Sequence, residues 1–378
     1  MNESKGFDRL VEYYEKNKGK PWNEWLEVVS TFPRSGKQGL AGLMKAKDDD
    51  SIVYVFKVSQ YLNYLVQQEF TVMNGLNTVS EYCPHFCRTV GYIMADIDPS
   101  KRKEGNPFHI ECKYPIEKEV LLMEYIENSY KFSRYIKTEK IPEDVLYSIV
   151  KQTILAVAIA QRKKKFAHYD LHSNNVMVKK CDRNLCLLYV LDEQTQFYVP
   201  TYGYYPVIID YGFSYCQDMD GDFMWPTLNH TEVGFLCDRF DPIADPKLFL
   251  VSVSGEIRDE RKTKNSRKLL NITKNIYRNL KLDWGSGWDK GIKGCASDDV
   301  VDKLDKIPTK SKVFKENQYL CIDLIQSLII LPLEKQKEKD DNEAWKLYYI
   351  TFTEEFAKIE NEIGSEFYCL YILKGIVE

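Results

Sequence analysis

Residues 166–178 read FAHYDLHSNNVMV, and His168, Asp170, His172, Asn174 and Asn175 crowd into eight positions of that stretch. Apolar residues flank them. Polar side chains buried beside a core cost free energy unless each finds a partner, so the stretch reads as a working loop between fixed ends. A second acidic position follows, 35 residues after Asn175, where YPVIIDYGF places Asp210 at the end of an apolar run. Phosphoryl transfer from a nucleotide needs a carboxylate to orient and deprotonate an acceptor hydroxyl. It also needs oxygen ligands for magnesium, which favours carboxylate and amide oxygens in near-octahedral geometry. Asp170, Asn175 and Asp210 supply such a set, with the strand-like runs VMV and VII fixing the loop ends.

The bulk properties narrow the field. The chain has 378 residues and is 44% hydrophobic, enough for more than one lobe or domain. Its net charge of −4 gives no reason to expect a nucleic-acid partner. MNESKGFDRLVEYYEKNKGK, at the start, is charged and lacks the apolar core of a secretory signal. IVKQTILAVAIAQ is interrupted by Lys151 and Gln152 and reads as a core helix, so no membrane span is expected. The expectation is a soluble, cytoplasmic chain. Ten cysteines are scattered along it. CPHFC (Cys83, His85, Cys87) resembles half a metal site, yet no second cluster of matching spacing follows, and buried reduced thiols are the simpler reading.

Residues 7–30 hold apolar positions at helical spacing on either side of a GKP break, which predicts two short helices. SGKQGLAGLMKAKDDDSIVYVFKVS predicts strand, turn, strand, and NYLVQQEFTVMNGL predicts a helix stopping at glycine. FCRTVGYIMADI and KEVLLMEYI predict strands around a polar loop at 98–109. PEDVLYSIVKQTILAVAIAQRKKK predicts a helix with acids first and bases last. VMVKKC, LCLLYVLDE, TQFYVP and YPVIID then read as strands. The remainder, from about 230, is expected to be mostly helical with an acidic helical end, and EKQKEKDDNE at 334–343 to be a solvated charged turn.

His168-Tyr169-Asp170-Leu171-His172-Ser173-Asn174-Asn175 and Asp210-Tyr211-Gly212 resemble the catalytic loop H-R-D-L-x-x-x-N and the magnesium motif D-F-G of the protein-kinase superfamily. The resemblance covers about residues 31–215. It implies that Asp170 is the catalytic base, that Asn175 and Asp210 hold magnesium, and that His168 supports the loop. Lys57, ending VYVFK, would pair the α- and β-phosphates of ATP, and Glu69 would hold Lys57. Gly36, Gly39 and Gly42 would let backbone N–H groups approach the phosphates. In LLMEYI, Glu124 and Ile126 would offer backbone groups to adenine, with Met123 behind them.

The implied fold is α+β and bilobal, with an N-terminal helical extension over 1–30. A strand-rich N-lobe would span 31–125, and a mainly helical C-lobe 126–378 with an insertion at about 180–205. The implied function is ATP- and magnesium-dependent phosphorylation of a protein substrate, on serine or threonine. Departures qualify it. Tyr169 replaces the arginine that pairs with a phosphorylated activation loop, and the glycines read G-x-x-G-x-x-G. No A-P-E follows Asp210, although Asp241 or Asp245 is placed to anchor the loop from a helix. His172 makes the loop similar to haspin-like kinases and to aminoglycoside and choline phosphotransferases, so a small-molecule phosphotransferase is the alternative. The HYDLH loop, the Tyr-rich insertion and D-Y-G-F-S together look like divergent kinases of large nucleocytoplasmic DNA viruses, which would place the chain in host cytoplasm or virion. A catalytically weak virion scaffold is the remaining rival.

Overall fold

The computed structural model describes residues 3–33, 39–60, 63–192, 195–219, 230–231, 234–235, 240, 242, 244–277 and 368–373. They form an α+β fold with a strand-rich sheet region and several helices. Helix α1 (Glu3–Asn17) and a single turn, α2 (Trp22–Trp25), lead into strand β1 (Leu26–Thr31). The two helices expected over 7–30 therefore end at Trp25. Beyond it Val28, Val29 and Thr31 carry the branched side chains that suit a pleated strand, and Leu26 pairs with Ala46. The boundary at residue 30 falls inside this strand.

β2 (Gly39–Ala46), β3 (Val53–Ser59), β4 (Thr89–Ile97) and β5 (Ile116–Glu124) complete an antiparallel sheet in the order β1-β2-β3-β5-β4. Alternation along the strands sorts its two faces. Tyr54, Phe56, Val58, Val120 and Leu122 share a core with Tyr14 of α1 and Trp25 of α2. Leu121 and Met123 face the opposite core, shared with Val66, Val72, Met73 and Leu76 of helix α3 (Asn63–Ser80). Lys57 lies between Phe56 and Val58, so its side chain is sent to the α3 side. The expected stop of α3 at Gly75 does not occur. The helix continues to Ser80, and the missing side chain makes room for a neighbour, because a Cβ at Gly75 would stand 2.6 Å from Asp218 Oδ2.

A short helix, α4 (Arg102–Gly105), lies in the β4–β5 connection; β6 (Ser129–Lys131) and α5 (Phe132–Lys137) then lead to α6 (Glu143–Lys164). α6 opens with Glu143 and Asp144 and closes with Arg162, Lys163 and Lys164, the arrangement that complements its dipole. Between Asn175 and Asp210 the chain forms two nested hairpins. β7 (Val176–Lys180) pairs with β10 (Tyr204–Ile208), and β8 (Leu185–Asp192) with β9 (Thr195–Pro200) is inserted between them. Ser148 Oγ on α6 donates to Pro200 O (2.6 Å), and Gln152 Nε2 donates to Tyr204 O (3.1 Å).

His85, from the CPHFC stretch, joins both hairpins. Its Nδ1 lies 2.8 Å from Pro206 O and its Nε2 2.7 Å from the Tyr189 hydroxyl. Burial pushes this imidazole down to about 4, and burial pushes the thiols of Cys83 and Cys87 up. Both ring nitrogens being engaged, CPHFC acts here through packing and hydrogen bonding. Helices α7 (Ala244–Arg261) and α8 (Lys264–Tyr277) follow. Near the C-terminus, where helix is expected, Tyr368–Leu373 is a strand paired antiparallel with β8, from Tyr368 opposite Val190 to Leu373 opposite Leu185. The charged stretch 334–343 lies outside the described residues. Among the described residues no helix is long and apolar enough to cross a membrane.

Candidate active site

The loop at 168–175 is held from beneath by one carboxylate. Asp245, fully buried in the first turn of α7, accepts the backbone N–H groups of His168 (2.7 Å) and Tyr169 (2.8 Å). Of the two aspartates considered as anchors it takes this place; Asp241 lies outside the described residues. The bonds hold Tyr169 in the left-handed region at φ 61, a conformation costing a side-chain-bearing residue about 1–2 kcal/mol. His168 is buried, and burial lowers its pKa, keeping the ring neutral. Its Nε2 sits 3.0 Å from Ile209 O, while its Nδ1 accepts from Asp170 N at 3.3 Å. One donor and one acceptor nitrogen are what a neutral imidazole has to offer.

Asn175 points its amide nitrogen back at Asp170, donating to its carbonyl (2.9 Å) and to Oδ2 (3.1 Å). Ile209 N donates to Asn175 O at 3.0 Å. The loop therefore grips Ile209 through both of that residue's backbone groups, which sets Asp210 beside it. His172 Nε2 lies 3.5 Å from Asp170 Oδ1, and its Nδ1 accepts from Asn174 N.

Lys57 reaches this assembly from β3. Its ammonium lies 2.7 Å from Glu69 Oε2 on α3 and 2.7 Å from Asp210 Oδ1, 153 residues away in sequence. The two acids differ in exposure: the Glu69 side chain is 4% exposed and that of Asp210 44%. Burial opposes the charge on Lys57, but Asp210 and Glu69 outweigh it and hold the amine above the usual lysine range. Burial pushes Glu69 up against the pull of Lys57. For Asp210 burial pushes upward as well, yet Lys57 prevails and the carboxyl stays below its usual range. Asp210 also adopts φ 68, a strained value for a non-glycine residue. The neighbouring Tyr211 N donates to Glu69 Oε1 at 3.1 Å, which fixes Glu69 further.

The structure brings Lys57, Glu69, Asp210, His168, Asp170 and Asn175 into one connected network. It treats the glycines differently. Gly39 and Gly42 lie inside β2, paired with β3, where a Cβ would strike Val58 O at Gly39 and both Ser30 O and the Phe56 ring at Gly42. Sheet packing alone demands glycine there. Gly36 lies outside the described residues. Met123 is buried in the core, and Glu124 closes β5 with its N–H donated to Arg88 O (3.0 Å). Ile126 accepts Ser129 Oγ at its carbonyl (2.6 Å). Sequence reasoning missed the pairing of Arg88 with Glu124 and the hydroxyl of Tyr211, which donates to Ile208 O (2.6 Å) and accepts Cys87 N (3.1 Å). A signal for the second was present: tyrosine in D-Y-G, once buried, needs partners for its hydroxyl.

No family model matches the chain. It is 28% identical over 369 residues to uncharacterized protein 098R of Invertebrate iridescent virus 6, covering 86% of this chain and 60% of that protein. It is 30% identical over 326 residues to uncharacterized protein 038R of Invertebrate iridescent virus 3, covering 82% and 58%. The chain thus spans about three fifths of the length of these two relatives. It is also 23% identical over 192 residues to a protein of the second virus named probable kinase 098L, covering 51% of this chain and 32% of that one. The partial likeness to 098L supports a kinase-like relationship, and all three of these relatives are viral.

Proposed function

We propose that the chain is a two-lobed, ATP- and magnesium-dependent phosphotransferase acting on hydroxyl side chains of a protein, serine or threonine. The observation that carries this reading is the single ammonium of Lys57 shared between buried Glu69 and half-exposed Asp210. A cation so placed can pair with phosphate oxygens, and a residue of similar charge elsewhere on the surface would need no such second acid. The relative named as a probable kinase supports the reaction class.

The oxygen donors suit magnesium. Asn175 turns its nitrogen to Asp170, which leaves Oδ1 for a cation, and Asp210 has Oδ2 besides the oxygen on Lys57. One carboxylate and one amide, completed by phosphate and water oxygens, are a usual magnesium environment. Magnesium there would neutralise charge developing on the transferred phosphoryl group. Asp170, steadied by Asn175 and facing His172, would orient the acceptor hydroxyl and take its proton. Glu124, whose carbonyl also meets the Cys87 Sγ at 3.9 Å, and Ile126 would offer backbone groups to adenine.

Incubation with labelled ATP and a peptide library tests the reading, with label expected on serine or threonine. The alternative, a small-molecule phosphotransferase, draws on the D-L-H loop and on the lack of A-P-E after Asp210; label on an aminoglycoside or choline acceptor, with none on peptides, would establish it. Thermal shift with ATP, with and without magnesium, addresses the scaffold reading. A magnesium-dependent rise in Tm is expected, and its absence would favour a scaffold.

A further inference from the structure

Helix α1 lies far along the chain from the loop at 168–175, yet one of its side chains touches the end of β5. The contact runs through Arg88. This residue accepts Glu124 N at its carbonyl (3.0 Å) and donates its own N–H to Glu124 Oε1 (2.9 Å). Its guanidinium then grips the same carboxylate, Nε at 3.1 Å from Oε1 and Nη2 at 2.7 Å from Oε2. Backbone and side chain of Glu124 are thus fixed by one neighbour, and both side chains are mostly buried. The Phe7 ring of α1 lies over the guanidinium, 4.0 Å from Cζ to centroid.

α1 cannot slide away from this position without breaking other contacts. Tyr14 donates its hydroxyl to Tyr92 O (2.9 Å) and fills a notch at Gly91, whose φ of 149 and lack of a side chain are both required, since a Cβ there would collide with the Tyr14 ring. Tyr54 donates to Leu10 O at 2.8 Å from the sheet below. Past Glu124 the backbone leaves the sheet and turns, with Asn128 at φ 53. The point of departure is therefore the place where a small displacement would be carried into Tyr125 and Ile126.

We infer that Phe7, through Arg88 and Glu124, positions the strap that receives the base of the nucleotide. The inference rests on the phosphotransferase reading and adds a positioning role for α1 to it. A planar guanidinium pressed between a ring and a carboxylate loses freedom that it would regain if the ring were removed. Leucine at position 7 keeps apolar bulk but offers no π face; tryptophan keeps the face.

The test uses the full chain and two probes, adenosine for the base end and magnesium tripolyphosphate for the phosphate end, each measured by calorimetry. Phe7→Leu is expected to weaken adenosine binding about three- to tenfold and to leave tripolyphosphate binding unchanged, with Phe7→Trp restoring the wild-type value. Arg88→Lys, which keeps the charge and loses the fork, should behave as Phe7→Leu does. Unaltered adenosine affinity in both variants, or equal losses for the two probes, would overturn the relay alone. A wild-type chain that binds neither probe overturns the relay together with the phosphotransferase reading beneath it.

Discussion

Lys57 has two acidic neighbours with different tasks, and substitution separates them. Glu69 is almost wholly buried and is also tied to Tyr211 N, so Lys57→Met would strand a buried carboxylate and cost roughly 3–5 kcal/mol. Asp210 is half exposed, so Asp210→Ala should abolish transfer while leaving the melting curve near that of wild type. Turnover like that of wild type in Asp210→Ala contradicts its assignment to the metal. Asp170→Asn is expected to reduce kcat far more than affinity for ATP, because an amide still accepts hydrogen bonds but cannot take the acceptor proton. Asp170 and Asp210 stood out because HxDLxxxN and D-Y-G compress chemistry into fixed short spacings, whereas Lys57 and Glu69 entered only through the resemblance those motifs carry. Asp245 was legible only as one of two aspartates, since nothing local marks which carboxylate will meet two amides 76 and 77 residues back.

At the scale of the element, β2 depends on what it lacks. Gly42→Ala would press a methyl group against Ser30 O and the Phe56 ring, and the strand can yield only by parting from a neighbour on one side. A loss of about 1–3 kcal/mol is expected, read as a lower urea midpoint with an unchanged slope. The strands around Lys57 were readable from alternating apolar residues. β1 was not, because Leu26 with Val29 gives helical spacing while Leu26 with Val28 gives strand spacing, and six residues do not separate the two. Gly75 misled for a related reason: in sequence it looks like a terminator, whereas in space it accommodates Asp218.

The nested hairpins tie the molecule together through a neutral histidine, and this gives it a dependence on pH. In an unfolded chain histidine binds a proton near 6.5, while folded His85 resists until about 4. Above 6.5 both states are neutral and the contribution is complete. As pH falls below that value the unfolded chain gains protons first, so stability declines, by roughly 3 kcal/mol for this group once 4 is passed. His168 is shifted in the same direction. The urea midpoint should fall between pH 7 and 4.5, and His85→Phe should flatten the dependence; a constant midpoint in the unaltered chain would rule out buried neutral imidazoles. The hairpin strands and the insertion at about 180–205 were visible in the sequence as apolar runs and spacing, but the pairing register and the contacts with α6 were not, because they are set by residues distant along the chain.

The link between Tyr189 and His85 also predicts a pattern of natural variation. A phenol supplied by the inserted hairpin is the partner that makes an imidazole acceptable at position 85. A homologous protein whose chain passes from β7 to β10 by a tight turn would have no such phenol, and an aliphatic or aromatic side chain should then replace the histidine. Loss of the insertion and loss of the imidazole are thus expected to be inherited together, a correlation that can be read from aligned sequences without expressing any of the proteins.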